Sequence, residues 1–350
     1  MAFRSSISPW IFASLLTSTA VFFQSVPIVT YAPVPAEAIP PFLNSTTGWR
    51  VEDIGKGAYM VSDNLYNTLF IVSTEGVIVV DAPPTIGHNM LNAIGNTTNI
   101  PITHLIYSHA HADHIGGAYL FGKHVKKIAH EETKKILEDM QDPKRPVPDI
   151  VFEDTYELCV GNQTVQLSYK GVNHQRGNIF IHAPKQKILM FVDVIFPGWV
   201  PWARIAEAED VPGTLKAHAQ TLEFDFDYFL GGHLDRSGNR NDVVLAKEYL
   251  DDLKTNCANA IALTGEAPNK TNPISFSEIS PKVEEANPAN GWAQVKTIID
   301  AAASYCSNVT NEKWLGKLAA ADVTGFDNAI SMVQSLRLDF NVLGPFGVQP

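Results

Sequence analysis

The segment His109-Ala110-His111-Ala112-Asp113-His114 places three imidazoles and one carboxylate within six positions, directly after the apolar run 102–107. Helical spacing does not explain that order. A turn at the end of a β-strand does, because it can aim closely spaced side chains at two neighbouring ions. Imidazole nitrogen and carboxylate oxygen are donors that zinc and similar divalent ions favour. The bland alternative is a solvated histidine cluster, and it leaves the fixed order unexplained. A chain with this segment is expected to fold so that a metal centre sits at a strand end.

One segment cannot surround an ion, so the remaining ligands are sought on other strand-end loops. Three residues fit. His174 lies in Gly171-Val172-Asn173-His174-Gln175-Arg176-Gly177-Asn178 between two expected strands, and Asp193 closes the apolar run 188–192. His233 follows Leu230-Gly231-Gly232, where glycines let the backbone approach a site closely. His88, His104, His124, His130, His182 and His218 lack such contexts and read as surface or core residues.

Short apolar runs at 58–62, 68–73 and 77–81, the last two punctuated by Glu75-Gly76, predict strands and a hairpin. A helical stretch at 87–96 and the strand at 102–107 complete a strand, helix, strand unit. A helix near Ala118, a strand at 125–129 and a charged helix at 131–140 are expected next. A second β-rich stretch covers 155–160, 163–169, 179–183 and 188–192. Two β-rich halves with interspersed helices suggest two sheets packed face to face under helices. From about Asn241 the spacing is helical (243–253, 295–305 and 327–338), with a Pro-, Asn- and Ser-rich linker at 265–280.

Over residues 51–250 the chain resembles the metallo-β-lactamase superfamily, on His-x-His-x-Asp-His followed by a His, Asp, His order. The resemblance implies an α/β fold, the αββα sandwich, here with a helical C-terminal extension. Position by position it implies that His109, His111 and His174 hold one Zn2+ and that Asp113, His114 and His233 hold a second, with Asp193 bridging. Asp81, ending Val77-Ile78-Val79-Val80, resembles the family's carboxylate that orients a ligand histidine. Two departures are visible: Asn173 and Gln175 flank the third histidine where Gly and Thr are common, and Val192 stands where Gly is common. Two cations close together lower the pKa of a bridging water to near neutrality and polarise the carbonyl that it attacks. Hydrolysis of an ester, lactone, thioester or lactam in a small-molecule substrate follows, with Asp113 ligating and orienting the nucleophile. Substrate choice is expected from the loop 196–202, with Trp199 and Trp202 as aromatic walls, and from Tyr66 in the loop 64–67, where the family often has a substrate flap.

The fold also hosts mononuclear iron dioxygenases and di-iron flavoproteins. The di-iron pattern has Glu where Ala112 stands, which leaves the dioxygenase as the redox rival, beside a true β-lactamase as the hydrolytic one. A net charge of -11 disfavours a nucleic-acid partner. Arg4 and the apolar stretch 11–23 read as an export signal too short to span a bilayer comfortably. Ala36-Glu37-Ala38 offers a cleavage site, so the expected organisation is a signal over 1–38, the metallo-β-lactamase-like domain over 39–260, and a linker with a helical subdomain over 261–350. The mature chain is then expected outside the cytoplasm without a membrane span. Cys159, Cys257 and Cys306 have no Cys-x-x-Cys spacing; a pairing of Cys257 with Cys306, leaving Cys159 buried, is open to an exported chain. Sequons stand at Asn44, Asn96, Asn162, Asn269 and Asn308.

Overall fold

The computed structural model describes residues 28–234, 236–266 and 272–346. Arg4, the apolar stretch 11–23 and the sequon at Asn269 lie outside them. The chain divides into two units, Met1–Thr30, of which only 28–30 are described, and Tyr31–Pro350, which carries every element named below.

Strands β1 (Arg50–Gly55), β2 (Ala58–Ser62), β3 (Asn67–Val72) and β4 (Val77–Val80) form an antiparallel meander. Parallel strands β5 (Ile102–Ile106), β6 (Lys126–His130) and β7 (Ile150–Phe152) extend it in order to seven strands. The crossovers carry helices α1 (His88–Thr97), α2 (Ala112–Ile115) and α3 (Glu131–Met140). A second sheet has β8 (Thr155–Val160), β9 (Gln163–Ser168), β10 (Phe180–Ala183) and β11 (Ile188–Met190) paired antiparallel. Strand β12 (Tyr228–Leu230) adds to β11 in parallel.

Successive strand residues point to opposite faces, so a run that is apolar throughout, such as β4, covers two layers at once. Met60, Leu69, Ile71, Ile78, Val80 and Ile106 meet Val165, Leu167, Ile181, Ile188 and Met190 between the sheets. Their chain neighbours Phe70, Val77, Val79 and Leu105 pack outward on Met90, Ala93 and Ile94 of α1 and Leu137 of α3. Phe180, Leu189 and Phe229 likewise pack outward, on Ala217 of α5 (Val211–Thr221) and on Val243 and Ala246 of α6 (Arg240–Gly265). This is the αββα sandwich expected from the resemblance.

Between β11 and α5 the chain makes α4 (Ala203–Glu207), and after α6 come α7 (Phe276–Ala286), α8 (Gly291–Trp314) and α9 (Ala321–Leu338). Tyr249, Leu253, Ile299, Ala303, Met332 and Val333 form a separate helical core. Cys257 and Cys306 are disulfide-bonded within it. Residues 260 and 261, the expected domain boundary, both lie inside α6, because this one helix packs on the second sheet at its start and in the helical core beyond. The expected linker region is helical from Phe276 onward.

One expectation is corrected. Cys159 is exposed, not buried, because β8 is an edge strand whose Leu158 and Val160 point inward and so turn Cys159 outward. Ala36–Ala38 is a 3-10 turn of the folded chain: Ala38 is fully buried, Trp199 Nε1 donates to its carbonyl and Arg236 Nε to that of Glu37. A cut after Ala38 would remove that packing. Among the described residues no helix is long and apolar enough to cross a membrane.

Candidate metal centre

Every site residue predicted from the sequence, apart from the two tryptophans, sits where a strand gives way to a loop at one end of the sandwich. Asp81 follows β4, the histidine motif follows β5 into α2, Asp193 follows β11 and His233 follows β12. These strands run parallel in adjacent pairs, and their C-terminal ends gather the ligands, as open α/β sheets commonly do. Backbone bonds fix the two halves: Asp193 N–H donates to Gly231 O at 3.0 Å, and Asn67 N–H to Gly232 O at 2.9 Å. Asp81 and Asp193 both take left-handed backbone, φ 58° and 64°, which Asp tolerates better than most residues.

Two overlapping groups result. The ligand atoms of His109, His111, His174 and Asp193 lie within 4.8 Å of one another, and so do those of Asp113, His114, Asp193 and His233. Asp193 belongs to both. Its Oδ2 is 2.9 Å from His114 Nε2, 3.4 Å from His174 Nε2 and 3.6 Å from His109 Nε2, while its Oδ1 is 3.2 Å from His233 Nε2. His174 Nε2 approaches His111 Nδ1 to 2.9 Å, and His114 Nε2 approaches His233 Nε2 to 3.0 Å.

Such convergence of imidazoles is costly without a positive centre to bind them all. His109 is fully buried, yet its Nε2 has no hydrogen-bond partner, an arrangement that a bound cation would relieve. The donor set, five imidazoles and two carboxylates, suits borderline divalent ions such as zinc. The residues therefore fit a metal pair.

The electrostatics leave two of the histidines neutral and so ready to ligate. Burial, then the neighbouring imidazoles, hold His109 and His111 below the usual histidine range, which keeps them neutral. Burial also depresses His114, but the Asp193 carboxylate outweighs it and raises this histidine to about 9. Asp193 is held well below the usual carboxylate range by His114 despite burial. Burial pushes Asp81 up to about 6. Its Oδ1 accepts from Ser108 N–H at 2.8 Å, and its Oδ2 lies 4.0 Å from His114 Nδ1. Asp81 thus stands behind the ring that presents Nε2 to the centre, the arrangement that orients a ligand histidine.

Tyr66 lies over the second group. Its hydroxyl donates to Asp113 Oδ2 at 3.3 Å, and its ring centroid is 4.5 Å from that of His233. Burial and the Asp113 carboxylate raise the phenol to about 12, so it stays a donor. Trp199 does not join it, because its indole is bonded to Ala38 O; Trp202 is 59% exposed. Phe196 of the same loop is buried, its ring centroid 6.2 Å from that of His233.

Four contributors were not singled out from the sequence. Ser108 Oγ lies 2.9 Å from His109 Nδ1, Gln175 Oε1 accepts from Ala110 N–H, and Arg145 Nη1 donates to Ala110 O. The carbonyl of Ala206 accepts from His174 Nδ1 at 2.7 Å. Ser108 and Gln175 adjoin ligands and were within reach of the sequence; nothing in the sequence marks Arg145 or Ala206.

A family model for the metallo-beta-lactamase superfamily matches residues 62–254, more than half of the chain. The chain is 25% identical over 204 residues to the 2,4-dinitroanisole O-demethylase subunit alpha of Nocardioides sp. (strain JS1661), which is 54% of this chain and 58% of that protein. It is 25% identical over 173 residues to the acyl-coenzyme A thioesterase MBLAC2 of Homo sapiens, 41% of this chain and 61% of that protein. The matches thus span about three fifths of these relatives. Among solved structures, a metallo-beta-lactamase from Pontibacter korlensis aligns with a TM-score of 0.50 at 18% identity, covering 58% of this chain and 99% of that one, a likeness of fold. Motif, sandwich and family match agree: the chain belongs to the metallo-β-lactamase superfamily.

Proposed function

We propose that this chain is a dinuclear zinc-dependent hydrolase acting at a carbonyl centre, with an ester, lactone, thioester or lactam as substrate. The observation that carries this reading is the position of Asp193, whose carboxylate is shared by both ligand groups. His109, His111 and His174 would hold one ion and Asp113, His114 and His233 a second, with the Asp193 carboxylate within reach of both. When bound, the ions supply a water-derived nucleophile at neutral pH and polarise the attacked carbonyl.

The chain's own groups do the rest. Asp113 is the half-exposed carboxylate of the centre, its side chain 42% accessible, and it is the group placed to orient the nucleophile. Tyr66 fixes that carboxylate through its hydroxyl. Tyr66 offers apolar surface beside His233 for the substrate body. The similarity to proteins named as a thioesterase and as a metallo-beta-lactamase is the reason that thioesters and lactams join the panel of candidates. A mononuclear iron dioxygenase would leave the second ligand group without a purpose, which counts against that alternative.

An exported protein is the proposed context. The Cys257–Cys306 disulfide supports it, and the sequon residues Asn44, Asn96, Asn162 and Asn308 are exposed. Because Ala38 is buried, the mature chain is expected to start upstream of Ala36, as N-terminal sequencing of secreted protein would show.

The test of the reaction is a hydrolysis screen of lactones, esters, thioesters and β-lactams with zinc-loaded and chelator-stripped protein. Turnover of one class by the loaded form alone is expected. No hydrolysis of any class, with oxygen consumed on a persulfide, would overturn the proposal.

A further inference from the structure

We infer that Asn328, on the C-terminal helix α9, is a positioning residue for the metal centre, acting through a left-handed backbone turn on His174. The inference rests on the metal-centre reading for its purpose but not for its geometry.

His174 Nδ1 lies 2.7 Å from Ala206 O. A carbonyl only accepts, so the imidazole proton sits on Nδ1 and the Nε2 lone pair faces His111 and Asp193. The tautomer needed for ligation is therefore set by where Ala206 O is held. That carbonyl belongs to an unusual element: Arg204, Ile205, Ala206 and Glu207 have φ 59°, 56°, 55° and 54° in succession. Left-handed turns without glycine are disfavoured at every residue, most of all at β-branched Ile205. They persist where surrounding contacts over-determine them, and such places cluster at functional sites.

The over-determining contact is Asn328. It is fully buried; its Oδ1 accepts from Ile205 N–H at 2.7 Å, and its Nδ2 donates to Pro201 O at 2.9 Å. Thr324 Oγ1 donates to the same Pro201 carbonyl at 3.0 Å. One amide thus grips α4 from both sides, and α4 grips His174. A second pair of bonds, Glu209 N–H to His174 O and Asp210 N–H to Asn173 O, ties the end of the segment to the ligand loop. The helical subdomain accordingly has a task at the centre: it holds the third histidine of one ion's ligand set.

The test compares Asn328→Leu, which keeps volume but makes neither bond, with Asn328→Asp, which keeps an acceptor for Ile205 N–H. Met332→Ala opens a cavity in the same helix away from the turn and is the control for a purely structural effect. Two readouts are used: the slowly exchanging His174 Nδ1–H signal in 15N-histidine NMR of metal-free protein, and cobalt uptake followed by its absorption bands. Asn328→Leu is expected to lose the Nδ1–H signal and to weaken one of two cobalt sites about ten- to hundredfold, with the other unchanged. Asn328→Asp and Met332→Ala should keep the signal and both sites. A wild-type signal and two wild-type sites in Asn328→Leu would overturn the inference, and so would equal losses in Met332→Ala. If the wild type takes up no cobalt yet its Nδ1–H signal still depends on Asn328, the positioning role stands and the metal-centre reading falls.

Discussion

Replacing Asp81 with Asn should move two properties in opposite directions. Asp81 is fully buried, and its Oδ2 has no hydrogen-bond partner. Burial raises its pKa from 3.8 to about 6. The folded chain therefore binds a proton more tightly than the unfolded one between those values, and stability falls as pH rises through that window. Above it, the ionised carboxylate costs the metal-free protein about 3 kcal/mol. Asn keeps the acceptor for Ser108 N–H and tolerates the positive φ, so Asp81→Asn should recover most of that cost and raise the metal-free melting midpoint at pH 7.5 by about 6 °C, at about 2 °C per kcal/mol for a large domain. The same change removes the negative charge behind His114 and should weaken zinc binding about ten- to hundredfold. Thermal melts of metal-free protein and chelator competition read the two effects. A variant that is less stable without metal, or that binds zinc as tightly as the parent, would refute the reasoning.

His218 supplies the acid limb of stability. Burial lowers its pKa to about 4, and its Nδ1–H donates to Thr214 O; since the unfolded chain binds this proton more tightly, stability should be full above about pH 6.5 and fall by about 3 kcal/mol on going down to pH 4. Urea midpoints of His218→Gln, flatter across that window than the parent's, would bear this out. The Cys257–Cys306 bond spans 49 residues, and Cys257→Ala with Cys306→Ala should cost about 4 kcal/mol on loop-closure grounds, read by denaturant unfolding of the helical part. Trp199→Ala should lower thermal stability with KM unchanged, the reverse of what the sequence suggests for the tryptophan.

The sequence carried the centre because its chemistry is local. His109 to His114 are set by one turn, and Asp193 ends an apolar run whose strand is recognisable by itself. The sandwich was legible for a related reason: β4 and β11 are apolar at every position, as strands buried on both faces must be. What escaped was decided by tertiary contacts. Arg-Ile-Ala-Glu at 204–207 is made of residues at home in an ordinary right-handed helix, and the contacts that accompany its left-handed turn come from far along the chain, Asn328 being 123 positions from Ile205. Trp199 reads as a pocket wall because it follows Asp193 closely, but its indole is tied to the Ala38 carbonyl, a contact made 161 positions away. Strand β12 is three residues long, too short for a periodic signal, and His233 was legible only from the Leu230-Gly231-Gly232 that precedes it.

The central claim is that two ligand groups sharing Asp193 hold two ions. Elemental analysis of the protein as purified, without added metal, tests it most directly. Close to two zinc equivalents per chain are expected, falling to about one in Asp113→Ala with His233→Ala, which empties one group and leaves Asp193 in place. A single tightly held iron in the parent, or a zinc content unchanged by that double variant, would contradict the account.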